Sequence, residues 1–500
     1  MHNDMPGGER AHAHRWVILA ICCLSLFLVT LDVTIVNVAL PSIRHDLHAS
    51  VAGLQWCVDG YTVVVASLLL LSGSMADRFG RRRTFQLGLA IFSLGSLLCS
   101  LAPSTGALVG FRMLQAIGGS MLNPVAMAII VNSFGNPRER ARAIGVWGAV
   151  SGLSMAAGPL LGGAMVDHIG WRSVFWVNVP VGALGLVLTA RFVPESRAQK
   201  PRRFDPVAQV LVVAALFAMT LTVINGRSAG WQSWPVAGGF ALAIGCGVGL
   251  VVWESRPAEP MLDMRFFRSV PFASATVLAI LAFAAMGGFL FLNSLYLQEA
   301  RGLRASAAGV MTLPIALTLV TCSPISGVLV GAGRARLAIV LAGAAITISA
   351  LVLTQLRDDT PLALLATAYA TFGVGMGSIN APITNSAVSG MPRSQAGLAS
   401  AVASTSRQVG ASLGVALAGS LAGSGIEVAH RADLAASTHT VFWLIALYGI
   451  AIAVVGVVAT GERARASAER VAALFGAPEI VPAPTAQSSG GIASPGAVAE

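Results

Sequence analysis

The chain of 500 residues reads as an all-α polytopic membrane protein, and three observations predict it. Apolar residues make up 55%, enough for at most about 14 bilayer crossings at about 20 residues each. Charged residues fall to 11%, against about 25% in an ordinary soluble domain. Glycine numbers 54, which suits helices that approach closely in lipid. A soluble fold is excluded. The six cysteines (Cys22, Cys23, Cys57, Cys99, Cys246, Cys322) lie inside apolar runs without ligand spacing and read as small buried hydrophobes, with no metal expected.

Apolar runs of 18 or more residues, each closed by a charge cluster or a Gly/Pro turn, fall near 16–40, 54–76, 84–102, 106–131, 143–166 and 173–193. Two more follow near 207–225 and 235–253. Six complete the set near 271–297, 306–331, 337–356, 361–385, 395–424 and 440–459. The expected division is a cytoplasmic tail 1–15, a six-helix bundle 16–193, linkers and two extra transmembrane helices 194–269, a second six-helix bundle 270–459, and a cytoplasmic, largely disordered tail 460–500. Within that tail, Glu462 to Phe475 has the pattern of a short amphipathic helix, and the Pro/Ala/Ser/Gly remainder cannot build a core. The first run is too long for a secretory leader and has no small-residue cleavage site, so no signal peptide is expected.

Cationic loops stay on the cytoplasmic side, which sets the orientation. With both termini inside, the inner loops and tails carry 23 of the 32 Lys and Arg and the outer loops 7. Acids divide as 13 inside, 7 outside and 2 within spans, so the whole net charge of +10 faces the cytoplasm. That distribution is an insertion signal, and nucleic acid is excluded as a partner. Arginine outnumbers lysine 31 to 1, the composition of a GC-rich bacterial genome.

The loop after the second run reads Gly73-Ser-Met-Ala-Asp77-Arg78-Phe-Gly80-Arg81-Arg82-Arg83. Glycines allow a tight turn, Asp77 suits a helix N-terminus, and the arginines suit inner-leaflet phosphates of membrane lipid. A weaker copy, Gly327 to Gly333-Arg334-Ala-Arg336, follows the tenth run, as two related halves would leave. The first run ends Leu31-Asp32-Val-Thr34-Ile-Val-Asn37-Val-Ala-Leu-Pro41, and a carboxylate there is costly in hydrocarbon. The fourth holds Arg112-Met-Leu-Gln115-Ala116-Ile-Gly118, the fifth Gly158-Pro159-Leu-Leu-Gly162-Gly163, the sixth opens Trp171-Arg172 through Asn178 to Gly182, and the thirteenth holds Arg407-Gln408-Val-Gly410.

Across about residues 15–460 these jointly spaced motifs resemble the 14-segment drug:proton antiporters of the major facilitator superfamily. The 73–83 loop resembles that superfamily's signature loop, and the 158–163 stretch its interface helix. The resemblance implies 14 transmembrane helices in a major facilitator fold of two six-helix bundles plus a two-helix insert. It further implies that Gly73, Asp77, Arg78, Gly80 and Arg81 form a conformational latch docking near 394–397, and that Gly158, Pro159, Gly162 and Gly163 line the interface between halves. Ala116 and Ser120 depart from the family's glycine and alanine in the fourth span.

Counting along helices at 1.5 Å per residue puts Asp32 and Arg112 at one depth, about 9 to 14 Å below the outer surface, with Asp59 slightly shallower. Desolvation raises the pKa of a carboxylate there, while Arg112 or a cationic cargo lowers it, so proton and cargo can compete for one site. A static ion pair between two helices is the alternative. Asp32, Arg112 and Asp59 are therefore the candidate proton-coupling residues, with Asp59 otherwise a solvated outer carboxylate. Asn37, Trp56, Tyr61, Asn293, Tyr369, Asn380 and Arg407 are candidates to line a cavity for an amphiphilic solute. Gly410-Ala-Ser412-Leu-Gly414 and Gly373-Val-Gly375-Met-Gly377 fit an esterase elbow and a nucleotide loop by letter only, because neither follows a strand; they read as helix packing. His12 and His14 are a weak metal pattern on a solvated tail.

The expectation is a multi-pass protein of the bacterial cytoplasmic membrane, working as a monomer without a cofactor. It would exchange protons for lipophilic cationic or neutral drugs or metabolites and export them. Proton-coupled uptake and a non-transporting sensor or scaffold are the alternatives.

Overall fold

A computed structural model of the chain describes residues 6–198, 205–256, 263–389, 396–427 and 431–474. Among these residues the regular structure is helical throughout, as the near-continuous apolar runs require when every backbone polar group must be satisfied within its own segment. The first group comprises α1 (Pro6–Leu47), α2 (Val51–Phe79), α3 (Arg81–Ser100), α4 (Thr105–Ser133), α5 (Pro137–His168), the single turn α6 (Ser173–Trp176) and α7 (Asn178–Phe192). The insert is α8 (Pro206–Ala229) and α9 (Trp234–Glu254). The last group is α10 (Val270–Leu295), α11 (Ala305–Met311), α12 (Leu313–Gly331), α13 (Ala335–Leu353), α14 (Leu362–Val388), α15 (Ala396–Glu427), α16 (Arg431–Ala459) and the amphipathic α17 (Glu462–Leu474).

Twelve of the described helices are long and apolar enough to cross a membrane. The two other expected spans, 84–102 and 395–424, fall on α3 and α15, whose arginines, glutamines, serines and small residues dilute their hydropathy. Composition therefore supports twelve crossings outright rather than the fourteen expected. The tail beyond residue 474 and most of the 390–397 segment lie outside the described residues.

Within the first group α1 packs on α5, α2 on α4, and α3 on α4 and α7; in the last group α10 packs on α15, α12 on α14, and α13 on α14 and α16. The groups meet through α2 with α15, α5 with α11 and α12, and α1 with α10. The insert lies outside this ring, with α8 against α2 and α15 and most of α9 exposed. Glycine makes the close approaches possible. A Cβ on Gly414 would sit 2.7 Å from Ala284 Cα, and one on Gly375 would sit 2.6 Å from Ile346 Cγ1, so both letter-only motifs are helix contacts. The unusual Ser120 shares a 2.9 Å hydrogen bond with Ser72, joining α4 to α2.

One end of the bundle is closed by bonds between the two groups. Arg44 pairs with Glu299 at 2.6 Å, and Gln298 Nε2 donates to the Val38 carbonyl at 2.9 Å. Asp167 accepts from the Ala305 and Ser306 amides at 3.1 and 2.9 Å and from the Ser306 hydroxyl, so it caps α11 from the end of α5. The opposite end carries the 73–83 loop and the exposed Thr384 of α14.

Candidate functional site

Asp32 sits within α1 and has no exposed surface. Arg112 Nη1 donates to its Oδ2 at 2.5 Å, while Gln115 Nε2 and Asn178 Nδ2 donate to its Oδ1 at 2.8 and 2.9 Å. Ser96 Oγ receives the same two amides at 3.1 and 3.0 Å and passes its own proton to the Phe175 carbonyl at 2.8 Å. Arg112 also donates through Nε to the Cys57 carbonyl at 3.1 Å and through Nη1 to Gln115 Oε1 at 2.8 Å, with its guanidinium 4.3 Å from the Tyr61 ring centroid. Arg112 and Gln115 share a face of α4 because they are three residues apart. Helices α1, α2, α3, α4 and α7 thus converge on one neutral ion pair. In a dry interior such a pair holds only while both charges persist, and removing one leaves the other unpaired at a cost of about 3–5 kcal/mol.

Asp59 on α2 is also fully buried, which rules out the alternative of a solvated outer carboxylate. Neither of its oxygens receives a well-formed hydrogen bond, although the carboxyl faces Ser412 of α15. Ser412 is 3.3 Å from Thr220 of the insert, beside an apolar space of about 240 Å³ between α2, α8 and α15.

A larger cavity of about 590 Å³ lies between the two groups, below the closed end. Thr34 and Asn37 of α1, Pro159 of α5, and Met286, Leu290 and Asn293 of α10 are among its walls, and no lining side chain is ionisable. Asn37 donates to the Val33 carbonyl at 2.9 Å and leaves its Oδ1 without a partner. Of the seven candidate cavity residues only Asn37 and Asn293 line this space. Tyr61 faces Arg112; Trp56 packs against Phe217 of the insert, ring centroids 6.5 Å apart; Tyr369 is buried and hydrogen-bonds Asn293 from behind. Asn380 bonds its own helix at Met376, 3.4 Å away, and Arg407 donates to Thr384 Oγ1 at 2.7 Å while lying over the Phe283 ring.

Of the four α5 residues expected at the interface between halves, Gly158 and Gly162 pack on α1 of the same group, while Pro159 and Gly163 meet the opposite group. A Cβ on Gly158 would strike Thr34, one on Gly162 would come 2.6 Å from Ile35 Cγ1, and one on Gly163 would come 2.6 Å from Ser306 Cα. Pro159's carbonyl packs against Gly309 of α11. One face of α5 therefore rides on α1 and the other on the opposite group.

The expected 73–83 loop is helical except at Gly80, between the end of α2 and the start of α3: Gly73 has open space around it, Arg78 lies over Phe79, and Asp77 pairs with Arg81 at 3.3 Å. The docking position expected for Asp77 falls mostly outside the described residues. Gly80 turns the chain at φ +112°, a conformation that favours glycine. Sequence reasoning missed Glu195, whose carboxylate accepts from the Arg82 and Arg83 amides at 3.1 and 3.3 Å and so caps α3. It also missed Ser96 and passed over Gln115 and Asn178 as parts of motifs; buried amides inside apolar spans were the available signal. Among the described residues no group of three His, Cys, Asp or Glu is placed to hold a metal.

A multi-pass helical bundle with a cavity between two groups and a buried ion pair beside it has the architecture of a membrane transporter. The chain belongs to the major facilitator superfamily, whose model matches residues 22–415. Multidrug resistance protein Stp of Mycobacterium tuberculosis is 38% identical over 400 residues, covering 80% of this chain and 74% of that protein. The tetracenomycin C resistance and export protein of Streptomyces glaucescens is 36% identical over 414 residues, covering 82% and 76%. A solved structure of a POT family transporter in complex with 5-aminolevulinic acid shares the fold, with a TM-score of 0.65 at 14% identity over 88% of this chain and 96% of that one.

Proposed function

We propose that the protein is a proton-coupled antiporter that exports lipophilic drugs, dyes or antibiotics across the bacterial cytoplasmic membrane by alternating access. It works as a monomer of fourteen spans, two six-helix halves and a two-helix insert, with both termini in the cytoplasm. Relatives that carry multidrug resistance and antibiotic export in their names support the cargo class and direction. The cationic 73–83 end then faces the cytoplasm and the Arg44–Glu299 end faces outward, so the conformation described is sealed outside.

The observation that carries the proposal is the Asp32–Arg112 pair on a helix whose next turn lines the central cavity through Thr34 and Asn37. A proton arriving at Asp32 cancels one charge of a dry pair and leaves Arg112 with the Cys57 carbonyl, Gln115 and the Tyr61 and Phe175 rings. The lost pairing makes α1 free to shift along the Gly158–Gly162 seam, which moves Thr34 and Asn37 in the cavity wall. Proton and cargo thereby act on one element from opposite sides. Asp59 is a second protonatable carboxyl at the seam of α2, α8 and α15. Gly73, Asp77, Arg78, Gly80 and Arg81 form the latch of the outward-open state, and in the conformation described Asp77 pairs with Arg81. One proton falling through 100 mV releases about 2.3 kcal/mol, enough to concentrate a solute tens of fold.

The test is accumulation of a dye and antibiotic panel in an efflux-deficient host. Expression should lower accumulation, and an uncoupler should restore it to the level of the empty host. Accumulation that ignores the uncoupler would remove proton coupling; accumulation raised by expression would point to uptake.

A further inference from the structure

We propose that the cargo is a lipophilic organic anion, selected by Arg407 at the cytoplasmic mouth of the central cavity, and that permanent cations are poor cargo. The inference rests on the export function above and adds the charge of what is exported.

The route is traced by one face of α10. Phe283, Met286, Leu290 and Asn293 recur at three- and four-residue spacing, and the last three, with Leu297 in the turn that follows α10, line the cavity up to its sealed end. Arg407 lies over Phe283, one turn below Met286, with the guanidinium carbon 5.9 Å from the ring centroid. It does not itself line the cavity; helical spacing puts it one turn from the Met286 wall, on the side of the exposed Thr384. Among the described residues its one side-chain hydrogen bond is to the Thr384 hydroxyl, and its buried Nε has no acceptor. A guanidinium in that setting needs an anion, because a hydroxyl cannot neutralise it.

Among the described residues none is supplied. Asp32 is consumed by Arg112, Gln115 and Asn178. Asp59 faces Ser412, five residues further along α15 and turned about 140° from Arg407 at 100° per residue, in the seam with the insert rather than in the cavity. Glu299 is taken by Arg44 at the sealed end. The cavity itself has no ionisable lining, so it offers a cation nothing and places a like charge at its entrance. An aromatic carboxylate or phenolate meets the opposite conditions. Its acid group pairs with Arg407, its rings stack over Phe283 and fill the Met286–Leu290 wall, and a hydroxyl of the cargo can donate to the unpartnered Asn37 Oδ1.

The experiment uses everted membrane vesicles from cells expressing the full chain, energised to an acidic interior, and three aromatic probes: fluorescein as the anion, tetraphenylphosphonium as the cation and Nile red as the neutral reference. Wild type should accumulate fluorescein at least tenfold faster than tetraphenylphosphonium. In Arg407→Gln the ratio of fluorescein to Nile red uptake should fall at least fivefold through a raised KM, and Arg407→Lys should recover most of it. Faster uptake of tetraphenylphosphonium than fluorescein by wild type, or an unchanged ratio in Arg407→Gln, overturns the anion assignment while leaving export intact. If Arg407→Gln moves no probe, the wild-type comparison alone decides. Movement of none of the three probes by wild type overturns export itself and the anion assignment with it.

Discussion

The Asp32 carboxylate and the Arg112 guanidinium meet at 2.5 Å with essentially no surface exposed on either side chain. Asp32 belongs to α1, which forms part of the cavity wall, and Arg112 to α4, which does not; neither residue lines the cavity. A proton at this pair is therefore felt by cargo through the helix and not by direct contact.

If the pair is a closed electrostatic unit, its members are strongly coupled. Asp32→Asn and Arg112→Gln should each lower the melting temperature in detergent, because each strands the opposite group at a cost of about 3–5 kcal/mol. The double variant should recover at least half of the loss, since neither charge then remains. Additive losses in tryptophan-monitored unfolding would show that the two side chains do not depend on one another.

The outer seal rests on backbone approach between α5 and α11. Gly163→Ala places a Cβ 2.6 Å from Ser306 Cα and should push the seal apart. External thiol reagent should then label an introduced Asn37→Cys at least threefold faster than in the parent. Unchanged labelling would mean that the contact yields without opening the cavity.

Arg44 and Glu299 form the ionic part of the same seal, and each is about one quarter exposed. A partly exposed pair contributes about 0.2–1 kcal/mol, so Glu299→Gln should raise outside access to Asn37→Cys by up to about fivefold. High salt should produce the same rise in the parent and little more in Glu299→Gln, because screening acts on a pair that the variant lacks.

At the opposite end, Gly80 combines φ +112° with the Glu195 carboxylate 2.5 Å from where a Cβ would stand. Gly80→Ala should cost about 1–3 kcal/mol through backbone strain. Glu195→Gln should cost less, about 0.3–1 kcal/mol, through the weakened cap on α3. Reversal of that order in thermal unfolding would place the importance of the turn in its acid rather than in its glycine.

Charged residues were the legible part of this chain. Asp32 and Arg112 stand out because hydrocarbon penalises them, and counting residues from the span ends put them at one depth. The α5 glycines were legible because small residues at close spacing permit backbone contact. Helical faces were not. In a span where lipid-facing and buried sides are both apolar, no periodicity tells them apart, so Trp56, Tyr61 and Tyr369 could not be assigned to the insert, to Arg112 or to the back of Asn293. Amides such as Asn178 gave a weaker signal than the charges because their burial penalty is smaller, and Glu195 looked like any loop acid until the chain brought it to α3.

Proton-for-cargo exchange by purified protein in liposomes tests the central claim most directly. With Asp32 replaced by asparagine, cargo-driven proton movement should fall at least tenfold in protein that still folds. Exchange at the wild-type rate in that variant would contradict the account.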